Sequence, residues 1–244
     1  MSRNFDLMTQ IESEFGATRD RSRAASQRAV EKAVLPNDAG DIAAEAILRL
    51  VQGMFLSTNG NAPRLVVFCG VDSETGSSFV CANVGRTLAA SNSGSVCLVD
   101  ANLRSQRLSG LFGIDKTRAF VRKSASMREQ CLEIGDNLWL AGHNLMADDR
   151  GALPPVARIK QLLGELRGAF DFVLIDAPGS GVSVDAATLG QVADGTVLVI
   201  EANATRRIAA RKAKEALEAA SVRLLGTVLH NRSFPIPKGL YQRL

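Results

Sequence analysis

The stretch Leu65-Val-Val-Phe-Cys69-Gly70-Val-Asp72-Ser-Glu74-Thr-Gly76-Ser77-Ser78-Phe79 decides how the rest of the chain is read. Five apolar residues in a row, without the alternation of a half-wet strand, read as a strand buried on both faces. A glycine-containing loop follows, and Ser78–Ala90 suits a helix. Strand, glycine loop and helix form an anion cradle, because backbone N–H groups and the helix dipole converge on a negative group there.

Working outward, the same grammar repeats. Short apolar runs at Val96–Val99, Leu138–Ala141, Phe172–Ile175, Thr196–Ile200 and Leu224–Leu229 alternate with helix-length segments at Val156–Ala169, Asp185–Val192 and Thr205–Ala220. Continuous apolar strands joined by helical crossovers imply an α/β fold, a doubly wound and mostly parallel sheet with helices on both faces. Upstream, Asp41 can cap a helix through about Phe55, with Ile42, Ala46, Leu50 and Met54 on one face. Residues 1–40 are polar and offer little to bury, so they read as a helical or disordered arm. Residues 41–232 form the α/β unit, and 233–244 a tail.

In such a sheet, ligands sit beyond the carboxyl ends of the strands. The loop after the first strand lacks the G-x-G-x-x-G spacing of a dinucleotide site. A nucleotide P-loop ends Gly-Lys-Ser/Thr; Gly76 and Ser78 fit, but Ser77 takes the lysine's place. The second strand ends in Asp100-Ala-Asn102-Leu-Arg104, and the Phe172–Ile175 strand in Asp176-Ala-Pro178-Gly179. Parallel pairing puts Asp100 and Asp176 at the edge that carries Gly76. Two carboxylates around a phosphate cradle are what magnesium binding and activation of a hydroxyl or water require.

Composition narrows the classes. With 244 residues, 46% hydrophobic and 22% charged, the chain is an ordinary globular one of one to two units. Cys69, Cys81, Cys97 and Cys131 form no C-x-x-C pair, and only His143 and His230 could join them, which argues against structural zinc. No run of 18 apolar residues suggests a transmembrane helix, and the start lacks an apolar signal core, so the chain reads as cytosolic. Residues 205–244 hold nine cations against Glu215 and Glu218, a local charge of +7 in a chain whose net charge is +4. That end suits an acidic partner, anionic lipid or nucleic acid.

The ordered motifs resemble those of the bacterial tyrosine kinases of capsule and exopolysaccharide synthesis, a branch of the MinD/ParA-like P-loop ATPases. The likeness spans about residues 41–232. Gly76-Ser77-Ser78-Phe79 with Ala82-Asn83-Val84 looks like the family's G-K-S-T…A-N-L. Val99-Asp100-Ala-Asn102-Leu-Arg104 looks like apolar-D-x-D-x-R. Phe170 to Pro178 looks like apolar-D-x-P-P, and Val184-Asp185-Ala186 and Ala193-Asp194-Gly195 complete the order. The resemblance implies an ATP and Mg2+ site on Gly76, Ser77, Ser78, Phe79, Asn102, Arg104 and Asp176. Ser78 and Asp176 would serve the metal, Asp100 would be the base, and Tyr241 in the tail the phosphoacceptor. It also implies a cytoplasmic protein held near the inner membrane by a membrane-anchored polysaccharide co-polymerase, and homo-oligomers.

The chain departs from the pattern where charge matters. Ser77 removes the lysine that would span the β- and γ-phosphates, Asn102 replaces the second acid of D-x-D, and Asp72 and Glu74 add carboxylates to the loop. Together the lysine loss and the two acids change the local formal charge by −3. A hydrogen bond to a charged group contributes about 1.5–3 kcal/mol, and a carboxylate about 6 Å from a phosphate costs roughly 3 kcal/mol at an effective dielectric of 20. Weak or absent ATP turnover is therefore expected. Where the family's oligomerising E-x-x-R-x-x-R would fall, Glu45 matches, while Leu48 and Val51 replace the arginines.

Two other functions compete. In an active autokinase, Lys116 or Arg104 would supply the missing cation. In a partition-type ATPase, residues 205–244 would bind nucleic acid, but no aromatic interleaving supports that, and none is expected to bind. Gly179-Ser180-Gly181 lacks the spacing of a nucleophile elbow, and His143 receives no role.

Overall fold

The computed structural model describes residues 39–56, 62–73, 75–105, 107–114, 126–181 and 183–231. Glu74, Lys116 and Tyr241 lie outside them, as do almost all of the expected N-terminal arm and the whole expected tail. The elements run α1 (Ala39–Phe55), β1 (Leu65–Gly70), α2 (Ser77–Ala90), β2 (Val96–Asp100), α3 (Arg107–Leu111), β3 (Leu132–Gly135), β4 (Leu138–Ala141), α4 (His143–Met146), α5 (Val156–Ala169), β5 (Phe172–Asp176), α6 (Asp185–Val192), β6 (Gly195–Glu201), α7 (Arg207–Ala219) and β7 (Leu224–His230).

The seven strands form one sheet in the order β3-β4-β2-β5-β1-β6-β7. Every neighbouring pair is parallel except β3–β4. Because side chains alternate across a strand, the apolar runs fill two cores. Leu65, Val67 and Cys69 of β1 pack with Ile159, Leu163 and Leu166 of α5, Leu189 of α6 and Leu217 of α7. Val66 and Phe68 face the opposite layer, with Val51 and Phe55 of α1 and Val80, Val84 and Leu88 of α2. The result is the expected three-layer α/β/α arrangement. Phe55 meets Phe172 edge-on at 5.8 Å between centroids, which fastens α1 to the sheet.

Several expectations change. Helix α1 begins at Ala39, so Asp41 lies inside its first turn and is not its cap. The inward face of α1 is not the Ile42–Ala46–Leu50–Met54 stripe: Ala46 is exposed, Leu50 and Met54 are half-buried, and Val51 and Phe55 are buried. The side chain of Ile42 lies outside the description. The face rotates because the bulky β-branched and aromatic residues fill the core better than alanine does. Thr205 belongs to the turn before α7, where its hydroxyl accepts the Glu201 N–H at 3.1 Å.

Two aspartates of the ordered motifs turn out to pin the amino edge of the sheet. Asp194 accepts the backbone N–H groups of Arg64 and Leu65 at 2.8 and 2.9 Å and pairs with Arg167 at 2.7 Å. Asp171 accepts the Ser95 N–H and hydroxyl, both at 2.8 Å. These bonds favour the ionised carboxyls and hold both groups below the usual carboxylate range. They set strand register at the end of the sheet away from the candidate site.

Candidate functional site

The site is built where β1, β2 and β5 end together. Register pairs Asp100 with Asp176 on the neighbouring strands β2 and β5, and both side chains are fully buried. The chain leaves β1 through residues 71–73, and Thr75 and Gly76 lead into α2. That exit from β1 is held from behind by the segment after β5: the Ser180 N–H donates to the Gly70 carbonyl at 2.9 Å and the Gly181 N–H to that of Val71 at 3.1 Å. Gly179 must be glycine for this approach, since a Cβ there would lie 2.5 Å from the Asp72 backbone. Gly76 has φ +76°, the left-handed conformation that side chains resist, and turns the loop into the helix.

The α2 start then presents Ser77 and Ser78, both buried. The Ser77 hydroxyl donates to Asp176 Oδ1 across a long 3.4 Å. The Ser78 hydroxyl also favours the ionised form of the Asp176 carboxyl. Asp100 Oδ2 accepts the Ser109 hydroxyl at 2.6 Å and the Ser109 N–H at 3.1 Å, from α3. The Asn102 backbone supports Asp100 as well. One oxygen of each carboxylate, Asp100 Oδ1 and Asp176 Oδ2, has no partner among the described residues.

Burial governs the electrostatics. It pushes Asp176 up to about 8; the Ser78 and Ser77 hydroxyls oppose this, while neighbouring Asp100 adds to it. Burial also raises Asp100, against the Ser109 and Asn102 hydrogen bonds and an attraction from His143. The pair thus tends to keep a proton that exposed carboxylates would release.

The predicted residues divide. Gly76, Ser77, Ser78, Asp100, Asn102 and Asp176 come together. Phe79 is half-buried at the rim, against His230 with 5.4 Å between ring centroids. Arg104 is exposed, and no hydrogen bond or ion pair engages it among the described residues. Asp72 is also exposed, so solvent screens its charge, and the repulsion assigned to it in the loop shrinks accordingly. Four further residues contribute to the site. Arg107 attracts the Asp176 carboxylate, His143 attracts that of Asp100, Ser109 caps Asp100, and His230 packs on Gly76, where a Cβ would sit 2.4 Å from its ring. All four reach the site by chain return, and of these signals only a polar residue after an apolar strand (His143, His230) is visible beforehand.

Chemically, the arrangement offers two halves. The free N–H groups of the first turn of α2 suit an anion. The two unpartnered carboxylate oxygens suit a divalent cation bridging to it. No cluster of three or more His, Cys, Asp or Glu that could hold a metal exists among the described residues, so such a cation would take the rest of its shell from hydroxyl, water and ligand oxygens. Magnesium fits these donors. A triphosphate fits less well, because the lysine position is a serine.

No family model matches the chain. The tyrosine-protein kinase YwqD of Bacillus subtilis is 30% identical over 188 residues, covering 68% of this chain and 77% of that protein. A putative tyrosine-protein kinase in the cps region of Klebsiella pneumoniae is 27% identical over 166 residues, 65% of this chain but 22% of that longer protein. The kinase domain of Escherichia coli tyrosine kinase ETK superposes with a TM-score of 0.62 at 20% identity, covering 84% of this chain and 82% of that one. MinD in the Aquifex aeolicus MinC:MinD complex superposes with a TM-score of 0.57 at 19% identity, over 74% and 72%. These two share the fold.

Proposed function

Because the chain belongs to the bacterial tyrosine-protein kinase family, we propose that it acts in capsule or exopolysaccharide assembly and export by binding and regulating a membrane-anchored polysaccharide co-polymerase, with weak or no ATP turnover. One observation carries the reading. Asp100 and Asp176 are retained side by side and fully buried, while the residue that should bring positive charge to the phosphates is Ser77, which instead donates to Asp176. The scaffold of a nucleotide site persists without its grip.

In this reading the backbone of Gly76, Ser77, Ser78 and Phe79 receives the phosphates, with Asn102 and Arg104 at the margin. Ser78 and Asp176 hold magnesium, which when bound would neutralise phosphate charge. Asp100 accepts a proton from a hydroxyl in this reading, and its bonds from Ser109 restrain it. Residues 41–232 form the nucleotide-binding unit, and the flanking segments 1–40 and 233–244 serve the partner. The protein sits in the cytoplasm against the inner membrane.

Incubation with Mg·ATP tests this. Phosphate release near background and unmodified Tyr241 by mass spectrometry are expected. Turnover at rates ordinary for a kinase, abolished by Asp100→Asn, would overturn it. A second reading, an active autokinase, draws on Arg107, whose attraction to Asp176 puts a cation near the site. It requires phosphate on Tyr241 that Arg107→Gln removes.

A further inference from the structure

The basic half of α7 forms a surface of its own. Arg207 and Arg211 lie one turn apart, as do Ile208 and Lys212, so two adjacent rows make one patch, with Arg206 at the helix start. All five are exposed, and Ile208 is 73% exposed, second only to Val184 among the exposed large apolar residues described. None of the four cations forms an ion pair among the described residues, whereas further along the helix Lys214 is tied to Glu218 at 2.7 Å.

Two physical points say that this patch does not exist for the stability of the helix. The first turn holds no acidic residue, and cations at a helix N-terminus oppose the helix dipole. An isoleucine set in water among them gains nothing from burial. Both arrangements become favourable against a surface that is anionic and has an apolar interior just beneath it. Cations over lipid headgroups with a branched apolar side chain reaching the acyl boundary is the chemistry of interfacial helices. An acidic protein or a nucleic acid would use the charge but not the isoleucine.

We infer that the first two turns of α7, through Arg206, Arg207, Arg211, Lys212 and Ile208, dock directly on an anionic phospholipid surface. The inference is independent of whether the site binds nucleotide. α7 follows β6 at the carboxyl edge of the sheet, the edge that holds Asp100 and Asp176. Docking there turns the candidate site toward the membrane plane.

Sedimentation of the full chain with vesicles tests it, comparing phosphatidylcholine alone with phosphatidylcholine containing 30% phosphatidylglycerol as a chosen, roughly bacterial, anionic fraction. Binding is expected only to the anionic vesicles, falling as salt is raised. The triple substitution Arg207→Gln, Arg211→Gln, Lys212→Gln should weaken it about a hundredfold, at roughly fivefold per cation. Ile208→Ser, with every charge kept, should weaken it several-fold. These positions are exposed, so folding is preserved, which circular dichroism checks. Equal sedimentation of wild type and triple variant, or no sedimentation of wild type, overturns the inference. Ile208→Ser binding as wild type while double-stranded DNA competes fully for the patch would also overturn it, assigning a generic polyanion surface instead.

Discussion

At the scale of single residues, the carboxyl of Asp176 carries the most consequence. Folded, it keeps its proton up to about pH 8, while the ordinary value is 3.8. Between those limits the folded state binds more protons than the unfolded chain, so stability falls as pH rises through the window. The slope is at most about 1.4 kcal/mol per pH unit, and the contribution is complete below the lower limit and gone above the upper. Raised Asp100 acts in the same direction. Denaturant unfolding between pH 5 and 9 with chelator present should show that decline, and Asp176→Asn should flatten it and be the more stable protein at pH 8.5. Ser109→Ala should cost about 1–2 kcal/mol in the same measurement, since it strips the 2.6 Å hydroxyl bond from a buried carboxylate. Such positions were legible in part. Asp100 and Asp176 follow apolar runs, and that alone placed them at one edge. Ser109 and Arg107 follow no run that points at the site, and His143 follows one but shows no partner in the sequence; only the folded chain shows what they approach.

At the scale of elements, continuous apolar runs gave the six parallel strands to within a residue or two, because burial on both faces leaves no other pattern in the inner strands; β7, at the sheet edge, keeps an apolar run although its residues are half-buried or exposed. β3 escaped notice because Leu132-Glu-Ile-Gly135 is short, antiparallel and at the sheet margin, with Glu133 exposed. α3 and α4, at five and four residues, are too brief to show a period. The rotated face of α1 has a sharper lesson. Val51 stands where the related motif has arginine, yet it is fully buried against the sheet. An assembly surface built from that arginine has therefore lost one of its positions to the core, while the neighbouring Arg49 pairs outward with Glu45 at 2.6 Å. Val51→Arg should lower stability by about 3 kcal/mol or more through an unpaired buried charge, as read by denaturant midpoint. Leu48→Arg, at an exposed position, should change it by less than about 0.5 kcal/mol.

For the whole molecule, the sheet separates two tasks. Its amino edge is tied by Asp171, Asp194, Arg64 and Arg167, and its carboxyl edge is left, among the described residues, with two unpartnered carboxylate oxygens beside the left-handed turn at Gly76. Stability is concentrated at one end and reactivity, or what remains of it, at the other. Among the described residues no helix is long and apolar enough to cross a membrane. Exposed Asp72 shifts the weight of the charge argument onto Ser77: one missing charged hydrogen bond corresponds to a loss of affinity of roughly tenfold to over a hundredfold.

Calorimetric titration of Mg·ATP into wild type and Ser77→Lys, side by side, asks the central question directly. The account predicts no micromolar binding by the natural protein and a tightening of at least tenfold once lysine is installed beside Asp176. Micromolar affinity in the natural protein, unchanged by the lysine, would contradict it.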